Sequence, residues 1–365
     1  MYCNVSCTIL HDLKLCSLCP MALFITGLIG NLIALFIIYR HKSVSRGNHV
    51  SVFYVLVSGL VWTDLMGKVL LSPMVLVCYA LTKCIKDINS HLCNTFAFVM
   101  SFFALCSMLI LLAMAVECLL SIGYPYIYNR VVTRRRAQIS LITIYAFSLL
   151  ICVMPLIGFG EYRQYSPGTW CFINMNDSSL SKKAFSLLYA MLLTLAILAV
   201  VICNILVKIN LMKMYKLTRS QSISGTSAQG TQSAPHPVEL DHLALLVLMT
   251  LIFLICSIPV TVRLYAGAIS PNICVTREEE QRDLSAMRFL SVNSIVDPWV
   301  FIILRTSLCR KQVHKMFAKL CMSRASRTTA GSIDEYRRRI HGPALETEAP
   351  QCAPNEIQME ERDAS

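Results

Sequence analysis

The sequence predicts an all-α membrane protein, a bundle of seven transmembrane helices followed by a short amphipathic helix on the inner face. Two observations carry this prediction. Seven apolar runs divide the chain, and only 15% of its 365 residues are charged while 55% are hydrophobic. A soluble domain usually has about 25% charged residues. The Lys and Arg residues also cluster between the runs, as at a cytoplasmic membrane rim and not as on a nucleic-acid-binding surface.

Each run is long enough to cross the roughly 30 Å hydrocarbon layer, which requires about 20 helical residues. The predicted spans, one to seven, cover residues 18–39, 52–81, 94–122, 138–159, 184–213, 242–269 and 283–305. If the N-terminus is outside, most basic loop residues are inside, whereas Glu278, Glu279 and Glu280 are outside. The positive-inside bias therefore predicts a multi-pass protein of the plasma membrane with an extracellular N-terminus.

The regions around the spans complete the predicted organisation. The extracellular N-terminus covers 1–17 and the bundle covers 18–305, with a flexible inner loop at 218–237 that is rich in Ser, Thr, Gln and Gly. A basic amphipathic helix over 306–321 is expected to lie on the membrane surface. The polar residues 322–365 are expected to form a disordered cytoplasmic tail.

Three positions are candidates for covalent modification. Asn4 and Asn176 each begin an Asn-X-Ser sequon on the predicted outer side, which favours glycosylation. Cys321 ends the amphipathic helix, where palmitoylation and an unmodified thiol are both compatible with the sequence.

Four of the ionisable residues inside the predicted spans stand out, and each such residue costs about 3 kcal/mol there. Asp64 and Lys68 are four residues apart, so they share a helix face and could pair with each other. Arg288 lies nine residues, about 13 Å of helix rise, outward of Asp297. An arginine facing the bundle there would require an anion from outside. The alternatives are that it reaches the lipid headgroups, or that it pairs with Asp283 or the loop glutamates.

Several residues of the spans resemble the rhodopsin class of G-protein-coupled receptors. They are Gly30-Asn31 in span one, Asp64 in span two, Cys93 at the start of span three, Pro259 in span six and Asp297-Pro298 in span seven. The resemblance implies a central water-and-sodium pocket, with a possible Na⁺ near Asp64, lined by Asn31, Asp64, Ser107, Asn293 and Asp297. It also implies a disulfide between Cys93 and Cys171, which can persist in the oxidising outer compartment.

The departures from that class resemble one of its families. Glu117-Cys118-Leu119 replaces the usual Asp-Arg-Tyr, Ser257 replaces a tryptophan and Trp299 replaces a tyrosine. The prostanoid receptors share such departures, and the run Gly-Thr-Trp-Cys-Phe at 168–172 is similar to theirs. The resemblance covers roughly residues 20–310. It implies that activation uses contacts other than the usual arginine lock.

Within this family, two features resemble the branch that binds prostaglandin D2. These are Lys68, where the prostaglandin E2 and prostacyclin branches have a smaller neutral residue, and the Glu117-Cys118 pair. Ser166 departs, because relatives often have cysteine there. The resemblance implies prostaglandin D2 as the ligand, with Gs and a rise in cyclic AMP as the output. Arrestin and kinases are possible partners at the third inner loop and tail, and a Gs-coupled prostaglandin E2 receptor remains the alternative.

The resemblance also implies roles in ligand binding. Arg288 would hold the carboxylate of the lipid with its planar guanidinium, assisted by Thr169 and Tyr79. Lys68 lies deeper and would bind a ring or side-chain hydroxyl. The remaining candidates are the apolar wall residues Met21, Leu290 and Trp170.

Other function classes are less compatible with the sequence. A transporter would show an internal repeat with broken spans, and none is found. No paired carboxylates or histidine clusters occur within the spans, so we expect neither an enzyme nor a cofactor. An amine receptor would have aspartate where Met100 stands, and an opsin would have a lysine near Ser291.

Overall fold

The computed structural model describes residues 18–44, 52–176, 179–223, 237–269 and 276–305. These ranges contain nine α-helices and one β-hairpin, which follow one another as α1 (Leu18–Val44), α2 (Val52–Leu81), α3 (Ile85–Ile88), α4 (Ser90–Gly123), α5 (Pro125–Val131), α6 (Arg134–Val153), β1 (Tyr162–Tyr165), β2 (Trp170–Ile173), α7 (Leu180–Ile223), α8 (Pro237–Ile269) and α9 (Arg277–Arg305). A 3-10 turn, Met154–Ile157, follows α6.

Seven of these helices are long and apolar enough to cross a membrane: α1, α2, α4, α6, α7, α8 and α9. The predicted all-α bundle of seven spans is confirmed. One boundary was wrong, because residues 218–223, predicted as flexible loop, continue α7. Once a helix has started, each added residue gains a backbone hydrogen bond, so it can continue past the last apolar residue. The predicted segments 1–17, 306–321 and 322–365 lie outside the described residues, as do Asn4 and Cys321.

The bundle has an apolar exterior and a polar centre. Large side chains such as Phe36, Ile142 and Leu150 are more than half exposed, which suits contact with lipid. Asn31 and Asp297, in contrast, are fully buried. Because hydrocarbon offers no hydrogen bonds, polar groups within the spans must find partners inside the protein.

Helix α4 lies at the centre and packs against α2, α6, α7 and the hairpin. Three other spans contain an internal proline, namely Pro73 in α2, Pro259 in α8 and Pro298 in α9. Each helix continues through its proline. Prolines are tolerated in membrane helices because neighbouring groups can satisfy the backbone atoms that they free.

The hairpin between α6 and α7 was not predicted. Its strands are antiparallel, with Tyr162 opposite Ile173 and Tyr165 opposite Trp170. The signal was present in the sequence: two short runs rich in aromatic and β-branched residues flank the turn Ser-Pro-Gly-Thr. Gly168 in this turn has a φ of +104°, a conformation that glycine adopts without strain.

The hairpin, residues 162–173, forms a roof over the predicted outer end of the bundle. The predicted disulfide is present and joins Cys171 in the roof to Cys93 at the start of α4. The backbone N–H of Ile85 donates to the carbonyl of Gly168 at 2.9 Å, and Arg163 lies 3.9 Å from Glu280 on α9. The roof is therefore attached to three neighbouring elements.

Tyr165 stabilises the roof from within. Its hydroxyl donates to the carbonyl of Ile173 at 2.8 Å and accepts from the backbone N–H of Met175 at 3.1 Å. Burial raises the pKa of Tyr165 above its usual value, so the hydroxyl keeps its proton at physiological pH. Both hydrogen bonds therefore persist across the physiological range.

The close contact between α8 and the segment after the roof predicts a sensitive position at Gly267. A Cβ at residue 267 would overlap the backbone of Met175, and the side-chain oxygen of Asn176 would lie 2.8 Å from it. We expect Gly267→Ala to lower the thermal stability of the detergent-solubilised protein, by about 1–3 kcal/mol as for other overpacked sites. Gly67→Ala is the control, because its Cβ would make only ordinary contacts with Phe103, the closest at 3.5 Å. Equal melting temperatures for the two variants would contradict the close approach.

Candidate ligand-binding cavity and polar core

A cavity of about 430 Å³ lies under the roof, within the size range of small-molecule sites. Residues of α1, α2, α4, α8, α9 and β2 line it, and most of its wall is apolar. The wall includes Phe24, Leu71, Val75, Phe96, Met100, Phe103, Trp170, Phe253 and Leu290. The rings of Phe96 and Trp170 meet edge to face, with centroids 6.0 Å apart. Such a cavity suits a largely apolar ligand.

Arg288 lines this cavity from α9 and is exposed. Within the described part of the chain, its guanidinium forms no hydrogen bond or ion pair. The alternative partner Asp283 is already engaged, because its carboxylate pairs with Arg263 on α8 and is 1% exposed. No ion pair between Arg288 and Asp283 occurs among the described residues. Arg288 presents a cation with all its N–H donors available at an apolar cavity.

The other predicted ligand-binding residues divide into two groups. Tyr79, Trp170 and Leu290 line the cavity, as expected. Thr169 does not line it. This residue is completely buried in the roof turn beside Trp170, and its hydroxyl has no hydrogen-bond partner in the part of the chain that the structure describes.

Met21 is also outside the cavity wall and is 47% exposed. Pro20, Leu23 and Phe24 line the wall in its place. Residues three or four apart share a helix face, so a wall formed by 20, 23 and 24 turns residue 21 away. The same periodicity could have indicated Phe24 from the sequence.

Lys68 connects α2 to α9. Its Nζ donates to the carbonyl of Ser291 at 2.8 Å and to the Oγ of Ser291 at 3.1 Å. The direct pair with Asp64, which the sequence left open, is not among the ion pairs of the described residues. Lysine has three N–H donors, so one remains after both contacts with Ser291. Because Lys68 lines the cavity, that donor is available to a ligand.

The predicted polar core is assembled below Lys68. Asn31, Asp64, Ser107, Asn293 and Asp297 are all at most 5% exposed. The Ser107 hydroxyl donates to Asp64 at 3.0 Å, and the Asn293 amide donates to Asp297 at 2.8 Å. Asp64, Ser107 and Asn293 also line the cavity, so the cavity extends to the core.

The core fits the sodium ion that the resemblance implies. One side-chain oxygen each of Asn31, Asp64, Asn293 and Asp297 is buried and finds no hydrogen-bond partner among the described residues, and hard cations prefer oxygen ligands. A cation bound there would offset the charge of two buried carboxylates. The described residues contain no cluster of three or more His, Cys, Asp or Glu side chains suited to a metal ion, so a tight transition-metal site is not indicated.

At the predicted inner end of the bundle, the Glu117-Cys118-Leu119 run has no arginine, and a tyrosine contacts its glutamate. Glu117 on α4 is 7% exposed and accepts a hydrogen bond of 2.9 Å from the hydroxyl of Tyr128. Tyr128 lies on α5, the short helix of the second inner loop. Sequence reasoning missed this partner, because the contact depends on a helix that only seven residues form.

Two further predicted residues can be located. Pro259 lies within α8, two residues after the fully buried Ser257, whose hydroxyl bonds to no group of the described ranges. Asn176 follows the roof and is half-buried. Neither position lines the cavity. The role of Pro259 in activation and the glycosylation of Asn176 remain predictions.

Comparisons with known proteins agree with this geometry. Residues 30–301 match the model of the seven-transmembrane receptor family named after rhodopsin. The prostaglandin D2 receptors of Mus musculus and Homo sapiens are each 46% identical to the chain, over 315 and 316 residues, with 81% of this chain and 88% of theirs covered. The prostaglandin E2 receptor EP2 subtype of Canis lupus familiaris is 44% identical over 307 residues, which cover 79% and 82%.

A solved structure shows the same fold. Squid rhodopsin superposes with a TM-score of 0.67 over 82% of this chain and 83% of its own, at 17% sequence identity. At that identity the likeness concerns the fold alone.

The assignment of Asp283 to Arg263 can be tested by a double-mutant cycle. Because the pair is buried on the aspartate side, we expect Asp283→Asn and Arg263→Gln to be non-additive in thermal stability, with a coupling on the order of 1–3 kcal/mol. The matched cycle of Asp283→Asn with Arg288→Gln should be additive within about 0.5 kcal/mol. Coupling of Asp283 to Arg288 instead would mean that Arg288 is not available to a ligand.

Proposed function

The chain belongs to the rhodopsin family of seven-transmembrane receptors, and on this premise we propose that its ligand is prostaglandin D2 and its partner is the heterotrimeric G protein Gs. It is a multi-pass protein of the plasma membrane. The proposal includes an extracellular N-terminus, since basic residues such as Arg134, Arg135 and Arg136 gather at the opposite end of the bundle from the roof. Membership of a receptor family disfavours the transporter alternative.

The observation that carries the proposed ligand class is the available guanidinium of Arg288. A prostanoid is a twenty-carbon acid with a carboxylate at one end, an oxygenated ring and an apolar tail. The cavity offers a matching series of groups, with Arg288 near its outer end, Lys68 deeper and apolar walls between. A carboxylate bound by the guanidinium in two parallel hydrogen bonds would supply the anion that the described residues do not.

Tyr79 and Thr169 are proposed to assist at the carboxylate. Tyr79 lines the cavity, which supports its role. Thr169 has less structural support, because it is completely buried outside the cavity wall. Trp170 and Leu290 supply apolar wall, whereas Met21 has less structural support.

Lys68 supports prostaglandin D2 over prostaglandin E2. Its two contacts with Ser291 fix the ammonium, which leaves one donor for an oxygen on the ring of the ligand. The carbonyl and hydroxyl of the D2 and E2 rings are exchanged, and since both oxygens accept hydrogen bonds, Lys68 would distinguish the two ligands by the direction in which the ring oxygen presents its lone pairs. The similarity to prostaglandin E2 receptors at 44% identity keeps E2 as the alternative ligand.

The inner surface supports a G-protein partner. On α5, Tyr126 is 82% exposed and Ile127 is 45% exposed, beside Arg130 and the basic start of α6. An exposed aromatic side chain surrounded by arginines is typical of protein interfaces. A shift of the bundle between two states on ligand binding would change this surface. Arrestin and kinases, if they act, would use the third inner loop and the tail.

Removal of the guanidinium tests the ligand class. We expect Arg288→Ala to lower the affinity for prostaglandin D2 by about 30-fold or more, since the loss of one partner of a charge pair that the bound ligand buries costs about 2–5 kcal/mol. Binding of the D2 methyl ester should be weak in the parent and little changed in the variant. Arg282→Ala is the control, because that arginine is 67% exposed on the same helix. Equal losses for the acid and the ester would rule out a carboxylate contact.

A comparison of ligands in the parent and in a variant without the Lys68 ammonium tests both the proposed prostaglandin and the proposed G protein. Cells that express the chain receive prostaglandin D2, prostaglandin E2 or a prostacyclin mimic, and cyclic AMP is measured. The parent should respond most strongly to D2, and Lys68→Met should lose about tenfold in potency for D2, equivalent to about 1.4 kcal/mol, and less for E2. Ser291→Ala keeps the backbone contact with Lys68 and should have a smaller effect. A stronger parent response to E2 would refute the ligand, and unchanged cyclic AMP would refute Gs.

A further inference from the structure

Ser72 on α2 differs from the other small hydroxyl residues of the cavity wall. The serine and threonine residues that line the cavity are Thr63, Ser72, Ser107, Ser291 and Ser294. All of them except Ser72 form side-chain hydrogen bonds with other protein groups. The Ser72 hydroxyl forms none within the described ranges, so its donor and its acceptor lone pairs are both available.

The Ser72 hydroxyl also lacks the bond that a serine in a helix can make to its own backbone. Such a hydroxyl can donate to the carbonyl three or four residues earlier. Thr63 bonds in this way to Gly59 at 2.7 Å, and Ser294 bonds to Ser291 at 3.0 Å. Ser72 is half-buried in the same wall and makes no such contact. Its hydroxyl is therefore available to a group inside the cavity.

The position of Ser72 relative to Lys68 gives the wall a fixed order of groups. The two residues are four apart on α2 and both line the cavity, so they share one helix face. Ser72 lies about 6 Å of helix rise outward of Lys68. Lys68 offers donors only, whereas Ser72 offers a donor and an acceptor. A ligand that enters from the predicted outer end meets the hydroxyl first and the ammonium second.

We propose that Ser72 binds the ring hydroxyl of prostaglandin D2 while Lys68 binds the ring carbonyl, and that this order selects D2 over E2. The assignment rests on the proposed function. In D2 the hydroxyl is on the ring carbon beside the acid chain and the carbonyl is on the far side of the ring, whereas in E2 the two are exchanged. With the carboxylate at Arg288, the oxygen beside the acid chain faces outward, toward Ser72, and the other oxygen faces Lys68.

The two ligands differ in whether their hydroxyl proton finds an acceptor. In D2 the ring carbonyl accepts from Lys68, and the ring hydroxyl donates to the Oγ of Ser72, whose own proton can turn to the backbone carbonyl of Lys68. In E2 the Ser72 hydroxyl can donate to the carbonyl, but the ring hydroxyl proton faces an ammonium that has no lone pair. A polar group that is left unpaired in a buried site weakens binding, so E2 is disfavoured.

Competition binding with ring-modified analogues tests the role of Ser72. We expect Ser72→Ala to lower the affinity for prostaglandin D2 about three- to tenfold, the effect of one neutral hydrogen bond. This loss should vanish for a D2 analogue whose ring hydroxyl is replaced by hydrogen and persist for one whose ring carbonyl is replaced by a methylene. Lys68→Met should show the opposite dependence. Ser58→Ala is the control, because Ser58 is on the same helix outside the cavity wall and its hydroxyl bonds to the carbonyl of Val55.

The same measurements separate the role of Ser72 from the proposed function. If D2 binds the parent and Ser72→Ala equally well, or if the loss is the same for D2 and for the analogue without the ring hydroxyl, Ser72 does not bind that hydroxyl. A loss that depends on the ring carbonyl instead would show that the ring lies the other way round, which also overturns the assignment. A parent that does not bind D2 would refute the proposed ligand and this assignment together.

The origin of the selectivity is tested by Lys68→Gln. The glutamine amide carries both donors and an acceptor, so the ring hydroxyl proton of E2 gains a partner. We expect E2 to bind Lys68→Gln about threefold or more tightly than it binds the parent, while the affinity for D2 does not rise. An affinity for E2 no higher than in the parent would contradict the selection of D2 by the order of the two groups.

Discussion

The cost of an ionised side chain in hydrocarbon is the constraint on which this bundle depends. Four such residues stand out within the spans, and three of them form side-chain hydrogen bonds within the protein. Ser107 donates to Asp64, Asn293 donates to Asp297, and Ser291 accepts twice from Lys68. Arg288 differs, because its guanidinium is directed to a cavity and has no partner among the described residues. Arg288 therefore still requires an anion, and this requirement identifies the cavity as the proposed ligand-binding site.

The connection between the site and the core follows from the same constraint. Lys68 of α2 donates hydrogen bonds to Ser291 of α9. Ser291 lies about one helical turn inward of Arg288, so the two cations lie near the same short segment of α9. The cavity passes both and ends at Asp64 and Asn293. A ligand that contacts Lys68 would therefore alter a hydrogen bond between two spans. Ligand binding and the packing of the spans are in this way linked through one side chain.

The sequence predicted those features that depend on a single helix or on a shared motif. Seven spans follow from apolar length, and the approximate depth of Arg288 follows from the helical rise. The disulfide of Cys93 with Cys171 came from resemblance to a family. Features that depend on how helices are rotated against each other were not predictable. The i,i+4 rule suggested Asp64 as the partner of Lys68, whereas the actual partner belongs to another helix, and Met21 was assigned to a wall from which its helix turns it away.

The contact between Tyr128 and Glu117 has a consequence for the inner end of the bundle. In receptors with an arginine at the position of Cys118, two opposite charges can attract each other, and such attraction weakens as mobile ions accumulate around it. A phenol has no net charge, so its hydrogen bond to a carboxylate is short-ranged and directional. This contact of the predicted second inner loop should therefore depend less on ionic strength than an ion pair would.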